Sequence, residues 1–362
     1  MSTIELRQLT KRFGRFTAVR DVDLSVAAGE VVCLLGPSGC GKTTTLRMIA
    51  GLERPSAGDV LVAGKRVNDL KPEQRDIAMV FQFYALYPAL TVRENILFPL
   101  HHERLEPAAA QARVARVSGI LHLQDVLDRL PGQISEGEKQ RVAVARAVVR
   151  DPKCFLFDEP LSRLDVELRQ SMRGQIKSVL TGLSKATVIV THDQLEALTM
   201  ADRIAIMRDG IIEQAASPHD VFAKPANAFV ASFIGTPQMN LLEGRFDGYA
   251  DGRGAFVIQG DAVRLKVDPA VQQLPPGKVT IGIRPRALVP QAAASFDTLT
   301  GRAELIEPMG AETLVHASTG NGCDIRVVVP RDARVRVGET LHLTTDLAQT
   351  HVFDAAGRAV RT

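Results

Sequence analysis

Net charge is nearly missing from this chain: 44 basic residues face 41 acidic ones, a formal net of +3. That balance supplies no electrostatic footprint for a nucleic acid, so none is expected as a partner. No uninterrupted apolar run approaches the roughly 20 residues of a bilayer span. If the protein works at a membrane, another chain supplies the spans. The opening residues, MSTIELRQLTKRF, hold no long apolar core, which argues against a secretory signal. Cysteine is scarce as well. Cys33, Cys40, Cys154 and Cys323 show neither a C-x-x-C pair nor metal-ligand spacing. Three of them fall in or beside expected buried strands or a glycine-rich loop, so reduced thiols in a cytoplasmic setting are expected.

What is present is more specific. The 362 residues allow two domains, and 45% apolar with 23% charged residues is ordinary for a globular protein. Residues 34–45 read LLGPSGCGKTTT and fit G-x-x-x-x-G-K-[ST] through Gly36, Gly41, Lys42 and Thr43. Glycines permit a tight loop whose backbone N–H groups turn inward on phosphates, and the following helix aims its positive end at them. Lys42 can reach the β- and γ-phosphates, and the Thr43 hydroxyl can ligate Mg²⁺. The context is right: residues 30–35, EVVCLL, read as a short buried strand and residues 44–50 as a helix. A nucleoside triphosphate is therefore the expected ligand.

Three more apolar runs end in polar residues. Residues 76–82, DIAMVFQ, end in Gln82. Residues 154–159, CFLFDE, end in Asp158 and Glu159. Residues 187–193, TVIVTHD, carry His192. Strand C-terminal ends are where α/β sheets bind ligands. An acid there can hold Mg²⁺ through water, and its neighbour can deprotonate the attacking water. Gln82 taken alone reads as a plain strand-end residue, and Phe13, before Gly14, as a core or turn-packing aromatic. Alternation over residues 3–30 predicts antiparallel strands, and three- and four-residue spacing predicts helix over Pro107–Leu130 and 138–150. Asp209-Gly210 marks a hairpin, and 218–234 an amphipathic helix or helix pair. Beyond Gly235-Thr236-Pro237, short alternating segments punctuated by Gly and Pro read as an all-β domain without a catalytic cluster.

Together these motifs resemble the ATP-binding subunits of ABC transporters, and within them the MalK-like carbohydrate importer group, from about Ile4 to the C-terminus. The implied fold class is an α/β P-loop NTPase (ABC ATPase) core with antiparallel β and helical subdomains, plus a C-terminal all-β OB-like regulatory domain. The implied boundaries are 1–235, with the helical subdomain at about 84–150, and 236–362. The resemblance makes Phe13 the adenine-stacking aromatic, Gln82 the Q-loop glutamine, Asp158 and Glu159 the Walker B acid and catalytic base, Leu161–Asp165 the D-loop, and His192 the switch histidine. The nucleotide set is then Phe13, Gly36, Ser38, Gly39, Cys40, Gly41, Lys42, Thr43, Thr44, Gln82, Ser135, Gly137 and Asp165. Thr43, Gln82 and Asp158 serve Mg²⁺, while Glu159, His192, Gln82 and Lys42 serve hydrolysis. A thiol reagent is expected to inhibit through Cys40, with ATP protecting.

The same resemblance implies an ATPase on the cytoplasmic face of the inner or plasma membrane, paired with a second ATPase subunit. Permease subunits would dock around Phe83–Pro88, and a solute-binding protein would act indirectly. The cargo implied is a sugar or polyol, with polyamine or iron importers and soluble ABC-type ATPases as alternatives. Two departures stand out. Where the family has L-S-G-G-Q, this chain has Ile134-Ser135-Glu136-Gly137-Glu138. Where it has an acid after Gly282-Ile283-Arg284-Pro285, this chain has Arg286. A carboxylate about 8 Å from a phosphate charge repels it by about 2 kcal/mol at an effective dielectric near 20. A slow homodimer, or pairing with a more regular ATPase subunit, is therefore expected.

Overall fold

The largely apolar runs Val31–Leu35, Cys154–Asp158 and Ala186–Thr191 are strands with every residue buried. Continuous apolar sequence suits strands covered on both faces. In the computed structural model, which describes residues 2–103, 105–162, 164–250, 253–258, 261–295, 297–320, 322–345 and 350–361, they form the centre of a six-stranded sheet. The order is Ile211–Ala216, Arg203–Arg208, Val31–Leu35, Ala186–Thr191, Cys154–Asp158, Ile77–Val80. All neighbours are parallel except the first pair, the expected hairpin. Leu35 lies opposite Thr191, and Asp158 opposite Val190, so several strand ends finish along one edge.

The expected antiparallel sheet is present as Phe16–Ala27, Ser2–Phe13, Ala57–Val62 and Lys65–Arg66, in that order. Val22, Leu24 and Val26 point inward between exposed neighbours and share a core with Val32, Leu34, Leu156 and Val188. The helix Lys42–Ala50 packs Leu46, Met48 and Ile49 into this core. It stops at Gly51, whose φ of 80° lets its N–H turn back to the carbonyls of Arg47 and Met48. Buried Arg75 donates to the Met48 and Ile49 carbonyls at 2.8 and 2.9 Å, a cation at the helix's negative end.

The helical region contains Val92–Leu97, Pro107–Ile120 and Glu136–Val148. The helix expected to run from Pro107 to Leu130 ends at Ile120. His122 takes a left-handed φ of 50°, and Gln124–Val126 forms only one tight turn. Leu121, Leu123, Val126 and Leu127 are buried all the same, so their helical spacing reflected burial rather than a continuous helix.

Two compact units, Met1–Pro218 and His219–Thr362, divide the chain. This boundary precedes the expected one at 235/236 because the helix pair Pro218–Ala223 and Ala228–Phe233 is tied mainly to the second unit. Ala231 packs on Met239 and Phe353. The buried Arg284 guanidinium stacks on Phe222 at 3.7 Å, donates to its carbonyl at 2.8 Å and also donates to the Ile234 carbonyl. Apart from short helical turns at Pro269–Gln273 and Pro285–Ala287, the described remainder of the second unit is built on a six-stranded and a five-stranded antiparallel sheet around a core that includes Phe246, Phe256, Ile281, Val315 and Val327. Arg286, the departure noted above, forks onto both Glu312 carboxylate oxygens and donates to the Thr236 carbonyl at 2.9 Å.

Candidate active site

The phosphate loop is shaped by contacts that exclude side chains. A Cβ on Gly36 would lie 2.2 Å from the Met207 carbonyl oxygen. One on Gly41, whose φ is 105°, would lie 2.5 Å from that of Ala18. No side chain caps the helix that starts at Lys42, so its first N–H groups face an incoming anion unclaimed by any side chain. Lys42 is buried, and its ammonium donates to the carbonyls of Gly36 and Pro37 at 2.8 Å each. It is thereby strung across the loop. Ser38 and Gly39 sit on the exposed rim, while Thr43 and Thr44 are half-buried in the first helical turn. Cys40 is only 3% exposed, with Sγ 3.6 Å from Lys42 Nζ. A reagent would therefore reach it when the loop opens.

Three strand ends converge beside this loop. The Thr43 hydroxyl lies 3.3 Å from Asp158 Oδ1. Burial pushes the Asp158 pKa up, opposed by that hydroxyl, and the neighbouring Glu159 charge adds to the rise. Glu159 follows in a left-handed conformation, φ 48°, with its N–H held by the Val190 carbonyl at 2.9 Å. A non-glycine residue held there stores strain, which is common at functional sites. Its Oε2 accepts from Gln82 Nε2 at 3.1 Å and lies 3.3 Å from His192 Nδ1. The sequence-level candidates Thr43, Gln82, Asp158, Glu159 and His192 thus form one contiguous group.

Among the described residues no cluster of three or more His, Cys, Asp or Glu side chains is arranged for a metal. The Thr43 hydroxyl and Asp158 carboxylate do supply the hard oxygens that Mg²⁺ takes together with phosphate oxygens. The residues therefore fit a magnesium nucleotide. Phe13 is 47% exposed at a strand-to-strand turn, with Lys11 Nζ 4.8 Å from its ring centroid. That exposure removes the core-packing alternative.

The Ser135 loop is built locally. Ser135 caps the helix Glu136–Val148 by accepting from the Glu138 N–H at 3.3 Å. Glu138 Oε2 in turn accepts from the Ser135 N–H and hydroxyl at 2.7 and 2.8 Å. This capping box uses Glu or Gln equally well at the third position. Glu136 pairs with Lys139 at 2.7 Å and is about half exposed, so part of the expected repulsion is neutralised inside the helix. Gly137 is buried, and a Cβ there would come within 2.7 Å of the Leu168 side chain. Leu168 is itself held by Asp165, whose Oδ1 caps the helix Val166–Leu183 by accepting from the Leu168 N–H at 2.9 Å. Of the expected D-loop, Arg163 lies outside the described residues.

Several contacts beside the site carried no sequence signal. The Ser162 hydroxyl donates to the Glu159 carbonyl at 3.1 Å and lies 3.5 Å from Gln82 Nε2. Arg146, on the Ser135 helix, donates to the Ala85 carbonyl and lies 4.9 Å from the Tyr87 ring, tying that helix to the segment around Phe83–Pro88. Thr191 and Glu196 form a buried hydrogen bond next to His192. Only a fold that places these segments together could reveal them.

Known proteins are similar to this chain. The ABC transporter family description matches residues 19–162, the MalK OB fold domain residues 235–288 and the TOBE domain residues 281–353. The sn-glycerol-3-phosphate import ATP-binding protein UgpC 3 of Agrobacterium fabrum is 42% identical, over 99% of this chain and 100% of that protein. The sulfoquinovosyl glycerol transport ATP-binding protein SmoE of the same organism is 43% identical over 98% of each. A solved dimer of the ATP-binding cassette MJ0796 in a post-hydrolysis state with ADP and Pi aligns at TM-score 0.53 and 31% identity, over 59% of this chain and 98% of that one. On these matches and this site, the chain belongs to the ATP-binding subunits of ABC transporters, in the MalK-like group with a C-terminal OB-fold and TOBE extension.

Proposed function

We propose that this chain is the ATP-hydrolysing subunit of an importer for a small polyol or sugar, working at the cytoplasmic face of a membrane beside permease subunits. The observation that carries the hydrolytic role is the convergence of Gln82, Glu159 and His192, from three strand ends, on one carboxylate oxygen beside the Asp158–Thr43 pair. Lys42 and the loop N–H groups would bind the triphosphate, and Phe13 would stack the adenine. Thr43 and Asp158, with Gln82 at its edge, would hold Mg²⁺, which supplies charge neutralisation at the phosphate oxygens when bound. Glu159 would take the proton of the attacking water, with Gln82 and His192 fixing its carboxylate. His192 would contact the γ-phosphate.

The site is half of a pair. The Ser135 loop of a second ATPase subunit would close over the phosphate loop, with Asp165 near the subunit boundary. The Arg146–Ala85 contact links that loop's helix to Phe83–Pro88, the segment proposed to receive the permease. Relatives named for sn-glycerol 3-phosphate and sulfoquinovosyl glycerol support a polyol bearing an anionic group as cargo, selected by the permeases and a solute-binding protein. The domain limits proposed from family resemblance, 1–235 and 236–362, keep the helical subdomain at about 84–150 inside the ATPase. The test is ATP turnover of this chain reassembled with its permeases and binding protein in liposomes. Turnover is expected to rise when sn-glycerol 3-phosphate is added outside; turnover indifferent to the permeases would remove the importer role.

A further inference from the structure

Glu196 is an expensive residue where it stands. It is 2% exposed, in the first turn of the helix Gln194–Met200, and burying a carboxylate is costly unless it is held. Burial pushes its pKa up, and the Thr191 hydrogen bond opposes that. Asp193 raises it further, while Arg173 and Arg169 lower it. What holds it is Thr191, the last residue of the strand Ala186–Thr191, itself 1% exposed: the Thr191 hydroxyl donates to Glu196 Oε2 at 2.7 Å. The Thr191 hydroxyl oxygen in turn accepts from the Asp193 N–H at 3.0 Å. Thr191 and Asp193 flank His192, so one hydroxyl ties the two sides of the histidine together. Asp193 is anchored in turn, through Oδ1 to the N–H groups of Leu195 and Glu196 and through Oδ2 to Arg173 at 2.9 Å and Arg169 at 3.4 Å.

The strand end does a second job one residue earlier. The Val190 carbonyl holds the Glu159 N–H at 2.9 Å. The positions of Glu159 and His192, whose Oε2 and Nδ1 are 3.3 Å apart, are therefore referred to the same two residues, Val190 and Thr191. We infer that Glu196 is a positioning residue for hydrolysis: through the Thr191 hydroxyl it fixes the backbone that carries His192 and sets its distance from Glu159. Glu196 touches neither nucleotide nor water in this role. A carboxylate serves because it presents acceptor lone pairs only, which forces the Thr191 proton toward it and leaves the hydroxyl oxygen free to accept from Asp193.

This assignment rests on the role proposed for His192, and the experiment separates the two. Steady-state ATP turnover and ATP affinity are measured on the full chain carrying Thr191→Val, Thr191→Ser, Glu196→Ala, Glu196→Gln or His192→Ala. Loss of the hydroxyl in Thr191→Val is expected to lower kcat about ten- to a hundredfold, the scale of a misplacement of about 1 Å, with KM changed less than about twofold. Thr191→Ser keeps the hydroxyl and Glu196→Gln an acceptor, so both are expected to stay within about threefold of the parent kcat. Should Glu196→Ala fail to fold, the near-isosteric Thr191→Val carries the test. Parent-like kcat in Thr191→Val alongside a crippled His192→Ala overturns the positioning role and spares that of His192. Parent-like turnover in His192→Ala overturns both. Equal losses in Thr191→Val and Thr191→Ser would mark a packing defect and also overturn it.

Discussion

The phosphate-loop cluster and the Ser135 loop are built in opposite ways. In the cluster, groups from residues 42 to 192 meet, and the contacts that define it span long stretches of sequence: Thr43 with Asp158, Gln82 with Glu159, Glu159 with His192. In the Ser135 loop every polar contact described above closes within three residues: Ser135 with Glu138 and Glu136 with Lys139. A tertiary cluster concentrates strain and buried charge, as in Glu159 at φ 48° and Asp158 at 8% exposure. A local motif at a helix start tolerates sequence change, because its hydrogen bonds travel with it. That contrast explains how the unusual residues Glu136 and Glu138 can be accommodated where comparable changes in the cluster would not be.

Breaking the cluster is expected to have the largest effect. Glu159→Gln keeps the shape but removes the proton acceptor, so ATP turnover should fall about a thousandfold while nucleotide binding, measured with a fluorescent ATP analogue, is retained. Loss of less than tenfold would displace Glu159 as the base. Next is Gly41→Ala, which forces a side chain into a left-handed backbone and against the Ala18 carbonyl. Chemical denaturation should show a loss of about 2–3 kcal/mol, with weakened ATP binding.

Asp158→Asn sharpens the comparison from the other side. The folded pKa of Asp158 lies above its ordinary value. The group therefore favours the fold only below the carboxylate range and opposes it as pH rises through the folded pKa. At neutral pH the amide should raise the Tm of the nucleotide-free protein by about 2–4 °C and abolish the further rise given by Mg²⁺ with ATP. A lower Tm in the nucleotide-free variant would show that the carboxylate is not a stability burden.

Changes in the local loop should matter less. With Lys139 paired to Glu136, Glu136→Gly is expected to raise turnover by less than about tenfold, the equivalent of 1.4 kcal/mol. A larger gain would restore the full repulsion argued from the sequence. The smallest effect belongs to Glu138. Its pKa is lowered, chiefly by the Ser135 N–H, so its contribution to stability is present at neutral pH and lost as pH falls through that depressed value. Glu138→Gln keeps the cap and should flatten the fall in Tm as pH drops through the carboxylate range and below it, leaving stability at pH 7 nearly unchanged. A drop at pH 7 as large as that of Ser135→Ala would show that the charge itself is needed.

Sequence alone determined a good deal of this protein. The spacing of Gly36, Gly41, Lys42 and Thr43 marked the phosphate loop, since backbone conformation and charge there follow from residue type. The apolar runs ending at Gln82, Asp158 and His192 marked the sheet, because strands buried on both faces must be apolar throughout. The change of pattern after Gly235 marked a second, all-β unit. Other features had no local signature. The helix expected to reach Leu130 stopped at Ile120 because burial and helical spacing coincide in leucine-rich turns. The compact units divide after Pro218, and the Arg284 contact with Phe222, more than fifty residues apart in the chain, lies within the second of them. The exposure of Phe13 has no local signature either. The convergence of Gln82 and His192 on one oxygen of Glu159, and the anchoring of His192 by Thr191 and Glu196, were decided only by tertiary structure. Strand order sets which ends become neighbours, and strand order depends on long-range packing that no window of sequence contains.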